Sequence, residues 1–450
     1  MTGRPTAHAR SSASCGTGHD LRGGLGVCYT RWQRMPGQVD YDVALIGAGP
    51  GGCVTAALLN KAGLRVGIFE RARFPRFVIG ESLLPRCNQR LDEACLIDRV
   101  KDQGYMVKSG ALFIEGEQRR AIHFEDQLKG GWPYTWQMPR ADFDNVLAEG
   151  VQAAGVCIHF EHAVSGVEVG AAPRLSVAGP DGVGREVRAR FIVDASGYGR
   201  VLPRLLDLDE PSGLAMRHAL FSHIRGDSRP DEATDGRTWV TVHPEGAWIW
   251  VIPFSNGLTS VGIVAEPAML VRYPDDGEER LRAIIASDPV AAEYLSDFEL
   301  AFEPHELRGY SVAVKRLWGD GFCLVGNATE FLDPIFSSGV TLAMESGSCA
   351  AGLILRELGG DPVDWDTEYS EYMMRGVDTF RAFVEAWYDG SFRTLLFAPD
   401  PEESITRMLT SVLAGQVWDL ENPFVREPQR KLLQLARVVE RSTRGRAGMG

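Results

Sequence analysis

No apolar run in these 450 residues approaches the roughly 18 that a membrane-spanning helix needs, so the chain is expected in the cytoplasm, with no membrane partner. The eight cysteines, at 15, 28, 53, 87, 95, 157, 323 and 349, contain no C-x-x-C pair and no His/Cys cluster. Thiols scattered in this way read as small buried hydrophobes, Cys53 included, and neither a metal nor a disulfide is expected. Positive charge is in deficit: 47 Lys and Arg stand against 60 Asp and Glu, a formal net charge of −13. Such a surface keeps a protein in solution and offers no broad contact to nucleic acid. Residues 1–39 lack both an apolar period and the apolar core of a secretion signal, so they are expected to form a disordered extension, with Met35 as an alternative start. After residue 40 there is no low-complexity segment and no internal repeat.

What is present begins at Tyr41. A short apolar run at 43–46 leads into GAGPGG at 47–52, an Ala/Leu-rich stretch to about Lys61, and RVGIFE at 65–70. Strand, helix and strand at this spacing predict a β-α-β unit with parallel strands. RARFIVDASG at 188–197 and GDGFCLVGNA at 319–328 repeat the pattern of a strand running into a Gly turn, the latter ahead of a helix from about Val340 to Leu358. Between them, 237–244, 246–254 and 258–266 are rich in β-branched and aromatic residues, and Ser255-Asn256-Gly257 predicts a hairpin between the last two. From about 361 the apolar spacing turns to three and four, which predicts helices.

The expected class is therefore α/β. A discontinuous cofactor core covers about 40–110, 140–200 and 311–360. An antiparallel substrate sheet is inserted at about 111–139 and 201–310, and a helical region follows over 361–450.

Gly47, Gly49 and Gly52 form G-x-G-x-x-G between a strand and a helix. The first glycine allows the tight turn, the second lets backbone approach a pyrophosphate, and the third permits close helix–strand packing. The helix N-terminus offers free N–H groups to the phosphates. Glu70 ends the next strand at the distance of an acid that hydrogen-bonds a ribose hydroxyl. With all of these in register, a dinucleotide site is the expectation.

VDASG (193–197) and VGNATEFLDP (325–334) resemble the two later FAD-contact motifs of the flavoprotein monooxygenase superfamily. That resemblance implies FAD as cofactor and a core of the glutathione-reductase and p-hydroxybenzoate-hydroxylase type. Where that superfamily carries Gly-Asp-Ala, this chain has Gly326-Asn327-Ala328; Asn still offers an acceptor oxygen. Arg140 stands where the superfamily places a polar contact to FAD. A surface ion pair with Asp142 or Asp144 is an equal alternative.

Three further stretches resemble the flavin-dependent halogenases, particularly those acting on phenolic or pyrrolic rings. They are FPRFVIGESLL at 74–84, WIWVIP at 248–253 and KSGALF at 108–113, and the resemblance runs from about residue 41 to the C-terminal helices. It implies an FADH2-dependent enzyme, supplied by a separate flavin reductase, in which a flavin hydroperoxide oxidises chloride or bromide to hypohalous acid. The catalytic residues so implied are Lys108, Glu81, Trp248 and Trp250. Lys108 would relay the oxidant as a neutral amine, a form that burial favours, and would line a tunnel between flavin and substrate. Trp248 and Trp250 share one face of a strand with Ile252 and would screen the substrate from the flavin, although a Trp-rich core strand is the plainer reading. Glu81 either orients flavin or lysine or only shapes its turn.

The stretch 333–339, DPIFSSG, resembles the family's halide loop. Backbone N–H groups of Ser338 and Gly339 would hold the anion; Ser337 or Ser338 would also serve as an ordinary helix cap. Halogenases of free tryptophan carry a glutamate just before the Ser of this loop, where this chain has Phe336. That departure points to a phenol or pyrrole that activates its own ring, free or on an acyl or peptidyl carrier protein. Arg426, Arg430, Lys431, Arg437, Arg441, Arg444 and Arg446 are either a dock for an acidic carrier or a solvated helix face. The rivals are an aromatic hydroxylase using NAD(P)H, a prenyl-lipid reductase, and a non-catalytic FAD-binding protein.

Overall fold

The strand Tyr41–Ile46 pairs in parallel on both sides, with Val66–Glu70 and with Gly184–Asp194. Helices pack on one face of this sheet and the antiparallel strands Ala163–Glu168 and Arg174–Ala178 on the other, so it has no solvent side and its strands read as continuous apolar runs. The pairing extends to Cys157–Phe160 at one edge and to Phe322–Leu324 and Trp318–Gly319 at the other. The structure is a computed structural model describing residues 39–229 and 236–447; residues 1–38 of the expected extension lie outside the described residues.

Two helices cover the centre of this sheet, Pro50–Lys61 and Ser338–Gly359. They approach through glycine: a carbon added at Gly347 would lie 2.6 Å from Thr55 Oγ1 and 2.7 Å from the carbonyl oxygen of Gly51. Ser338–Gly359 is long and apolar enough to cross a membrane by length and composition, but 67% of it is buried inside the protein. It is a core helix, and it starts two residues earlier than the apolar pattern indicated. The strand expected from Arg188 begins at Gly184 because its first five residues pair antiparallel with Arg174–Ala178, away from the parallel sheet.

A second sheet carries His218–Arg225, Thr259–Ala265, Trp248–Pro253, Thr238–Val242, Gly110–Glu115 and Gln118–His123 in that spatial order, with shorter strands at the His218–Arg225 edge. All its pairings are antiparallel except Thr238–Val242 with Gly110–Glu115. The turn at 254–258 closes the expected hairpin, with Gly257 at φ +79°. The sheet's two faces do different work. Leu220, Ile249, Val251 and Ile263 pack under the helices Gly277–Ser287 and Pro289–Tyr294. Phe221, Trp248, Trp250 and Ile252 join the main core with the first sheet and the C-terminal helices. Those helices, from Tyr372–Asp389 through Pro428–Ala447, close the far side.

The scattered cysteine spacing gave no reason to expect a disulfide, yet Cys157 is disulfide-bonded. Spacing carries no information on which thiols meet in space. Cys53, Cys87, Cys95, Cys323 and Cys349 are free thiols. Among the described residues no group of His, Cys, Asp or Glu is arranged to hold a metal ion.

Candidate active site

One long cavity runs from the turn after Tyr41–Ile46 to the inner face of the second sheet. At its first end Gly47 has φ +98°, and a side-chain carbon there would strike the Ala195 carbonyl oxygen at 2.6 Å. Gly49 faces open space but for Arg76, 3.9 Å from a notional carbon. Its helix N-terminus carries no side-chain cap. Gly52 is off the cavity wall and packs against the Gly47 carbonyl oxygen, which would meet an added carbon at 2.2 Å. Glu70 is on the wall: Oε2 accepts from Ala48 N at 3.0 Å and Oε1 from Ala72 N at 2.9 Å. These groups fit a dinucleotide: free N–H groups for pyrophosphate, an acid fixed beside them for a ribose, and no bulk between.

Further along the wall stand Arg140 and Asn327. Arg140 makes its ion pair with Asp144, at 2.8 and 3.1 Å, and the pair is buried rather than at the surface. Asp142 instead accepts from Tyr105. The Arg140 guanidinium also donates to the carbonyls of Ile79 and Gly80, at 3.4 and 3.3 Å. Arg140 is thus ion-paired in the interior rather than at the surface, and it also borders the cavity. Asn327 Oδ1 lies 3.7 Å from a carbon added at Gly339, which brings the second FAD motif against the halide loop.

In the halide loop Ser337 adopts left-handed backbone, φ 54°, at the N-cap of Ser338–Gly359, and no side chain caps that helix. The expected serine cap is absent, because a left-handed N-cap residue is not in the extended conformation that aims its hydroxyl at the first-turn N–H groups. The helix N-terminus is left open toward the cavity, which Ser337 and Gly339 line; Ser338 is buried behind them. Asp333 holds the loop from below. Its Oδ1 accepts from Ile335 N at 3.0 Å, and its Oδ2 accepts from Tyr310 and Tyr388, both at 2.9 Å. Phe336 is buried edge-on against Phe383, Trp387 and Phe392.

Trp248, Trp250 and Ile252 all line the cavity. The two indoles lie 5.8 Å apart at 47°. Each N–H is tied down, Trp248 to the Tyr388 hydroxyl at 2.9 Å and Trp250 to Ser260 at 3.1 Å. Gly262 makes room for the Trp250 ring, which would meet an added carbon at 2.1 Å.

Lys108 is 2% exposed and is not on the wall of this cavity. Its Nζ donates to the carbonyl oxygen of Leu83 at 3.0 Å and stands 5.4 Å from the centre of the Phe124 ring. Burial pushes its pKa down to about 7, the neighbouring Cys87 opposing the shift. Glu81 and Ser82 line the cavity, and the next residue holds the amine. Lys108 therefore lies behind the 81–83 segment and not on the cavity wall, whereas the expectation had it lining a tunnel between flavin and substrate.

Two participants carry no local sequence signal. His223 sits in the strand His218–Arg225 and bonds Glu81. Tyr388 sits near the end of Tyr372–Asp389 and joins Trp248 to Asp333. Both meet their partners across more than fifty residues, so no spacing could reveal them.

A parallel sheet with an open glycine turn, and a cavity that runs from that turn past an open helix end to the indole-lined face of a second sheet, is the arrangement of a flavin-binding oxidoreductase. Residues 45–79 match the family model described as an NAD(P)-binding Rossmann-like domain, and residues 112–395 match the model for tryptophan halogenase. The chain belongs to the tryptophan halogenase family; it is a flavin-dependent halogenase, and FAD is its cofactor.

A 1H-pyrrole-2-carbonyl-(peptidyl-carrier protein) brominase of Pseudoalteromonas luteoviolacea is 30% identical over 74% of this chain and 81% of its own. A flavoprotein/dehydrogenase from Cytophaga hutchinsonii is 49% identical with a TM-score of 0.88, over 90% of this chain and 99% of that one. The myxobacterial chondrochloren halogenase, a variant of the FAD-dependent halogenases, is 27% identical with a TM-score of 0.72, over 89% of this chain and 96% of that one.

Proposed function

We propose that this halogenase acts on an electron-rich phenol or pyrrole, using chloride or bromide and reduced FAD delivered by a separate flavin reductase. Reduced FAD with dioxygen supplies the oxidant that converts halide to hypohalous acid. The open N-terminus of Ser338–Gly359 holds the halide through backbone N–H groups at the loop of Ser337–Gly339. Trp248 and Trp250 keep the organic substrate off the flavin side. The neutral amine of Lys108 would attack the halogen of hypohalous acid, breaking the O–X bond; its own proton leaves with the hydroxide as water, and the ring then takes the halogen while the displaced ring proton restores the N–H.

One observation carries this reading: a fully buried lysine amine, held near neutrality by its surroundings, separated from the flavin cavity by a single segment. Ordinary lysines keep their charge in water.

The substrate class rests on Phe336. A buried aromatic cluster occupies the place where a carboxylate base would serve an indole benzo ring. Carrier delivery is supported by the brominase relative, which acts on a pyrrole-2-carbonyl group held on a peptidyl carrier protein. It is supported also by the helix Pro428–Ala447, where Arg430, Arg437 and Arg441 are exposed beside Leu433 and Val438. The side chains of Arg444 and Arg446 fall outside the described residues.

The test is Lys108→Ala, incubated with FAD, a flavin reductase, bromide and a panel of free and carrier-bound phenols and pyrroles. FAD binding should be unchanged and brominated product lost. Normal bromination by the variant, or a product heavier by oxygen in the wild type, would refute the assignment.

A further inference from the structure

Glu81 is 2% exposed, lines the flavin cavity, and has only one of its two oxygens satisfied. Oε1 lies 2.6 Å from His223 Nε2; Oε2 is buried without a hydrogen-bond partner. An orphaned buried acceptor is costly, and more so when charged, unless something donates to it.

The arrangement around the acid leaves it no freedom to escape that cost. Its backbone is fixed by Met138 N donating to the Glu81 carbonyl at 3.0 Å, and Arg140 grips the preceding Gly80 carbonyl at 3.3 Å. His223 is itself held, 6% exposed on a strand and packed edge-on against Phe302 and Phe254, with ring centroids 4.9 and 5.1 Å away. A carboxylate on the cavity wall that is pinned by an imidazole through one oxygen, with the other buried and unpartnered, is built to accept a donor that arrives with the occupant.

We propose that Glu81 Oε2 accepts a hydrogen bond from an N–H of the bound flavin ring, and that His223 is the positioning residue that aims it. This inference rests on the FAD reading. The isoalloxazine keeps the N–H between its two ring carbonyls in both redox states, so a charged acceptor on that group acts on the balance between oxidised and reduced cofactor through its charge. The carboxylate's negative charge opposes the electron-rich reduced ring. His223 acts only through Glu81.

The test is the two-electron midpoint potential of FAD bound to the full-length protein. Glu81→Gln keeps the shape and removes the charge, and should favour the reduced flavin by about tenfold, about 30 mV for a two-electron couple. His223→Phe should also move the potential, His223→Gln should bring it back to within twofold of wild type by restoring a donor, and His223→Phe should add nothing to Glu81→Gln. An unmoved potential in Glu81→Gln, or additive shifts in the double variant, overturns the proposal. If Glu81→Gln does not fold, failure of His223→Gln to restore the shift caused by His223→Phe overturns it equally. Wild-type protein that binds no FAD would defeat the flavin reading itself, whereas bound FAD with unmoved potentials defeats the dyad alone.

Discussion

Lys108 Nζ and the carbonyl oxygen of Leu83 meet at 3.0 Å, one residue beyond the pair Glu81-Ser82 that borders the flavin cavity. The amine is kept from solvent and from the cavity by the same short segment, and its proton is the part of the site that pH can move.

Burial lowers the Lys108 pKa from its usual value to about 7. Above that value the amine is neutral and nucleophilic; below it the charged form dominates. The rate of halogen transfer to substrate should therefore rise with pH through 7, about tenfold between pH 6 and 8 for a single titrating base. Single-turnover rates with pre-reduced FAD measure this step. A rate flat across that window would show that protonation of Lys108 does not govern transfer.

Tyr388 accepts from the Trp248 indole N–H and donates to Asp333, which supports the halide loop. Removing the hydroxyl in Tyr388→Phe leaves both neighbours short of one bond, a cost of about 1–3 kcal/mol. The expected phenotype is a halide KM raised severalfold with FAD affinity within twofold of wild type. Bromide titrations at saturating FADH2 decide it, and an unchanged halide KM would remove Tyr388 from the loop's support.

Phe336 is closed in by three aromatic side chains. Phe336→Glu places a carboxylate where nothing can pair with it, and burial of an unpaired charge is among the costliest changes a core can receive. The variant should melt at lower temperature at pH 8 than at pH 5, where the acid can take a proton. It should gain no activity on free tryptophan. Scanning calorimetry at the two pH values and a tryptophan assay test both halves.

Gly347→Ala sets a methyl 2.6 Å from Thr55 Oγ1 and 2.7 Å from the Gly51 carbonyl oxygen. Overpacking of this kind costs about 1–3 kcal/mol. Because the helix Pro50–Lys61 presents its N-terminus to the pyrophosphate, FAD affinity should fall together with thermal stability. Stability that drops while FAD affinity holds would uncouple the two helices.

Much of this architecture is legible before folding, and for definite reasons. The strand Tyr41–Ile46, its glycine turn and Glu70 are contiguous, and their chemistry repeats wherever a dinucleotide is bound. Trp248 and Trp250 are two residues apart on one strand, so their shared face follows from the period of a strand. What spacing cannot show is which residues meet across the sheets. His223 and Glu81 are bonded over a separation of 142 residues, and Trp248 and Tyr388 over 140. The lack of a serine cap on that helix also escaped the sequence, because a serine beside a helix start signals a cap unless its backbone turns left-handed, as Ser337 does.

The parallel pairing of Thr238–Val242 with Gly110–Glu115 has a bearing on how such an enzyme diversifies. Lys108 ends the short strand Met106–Lys108, which pairs outside this sheet with Thr135–Gln137, and Gly110 follows two residues later. Two strands across the larger sheet, Trp250 and Trp248 stand in register with Phe113 and Glu115. At about 4.8 Å per strand, main-chain pairing ties the indoles to the strand that continues from the lysine, so substitutions on either face can accumulate without shifting that register.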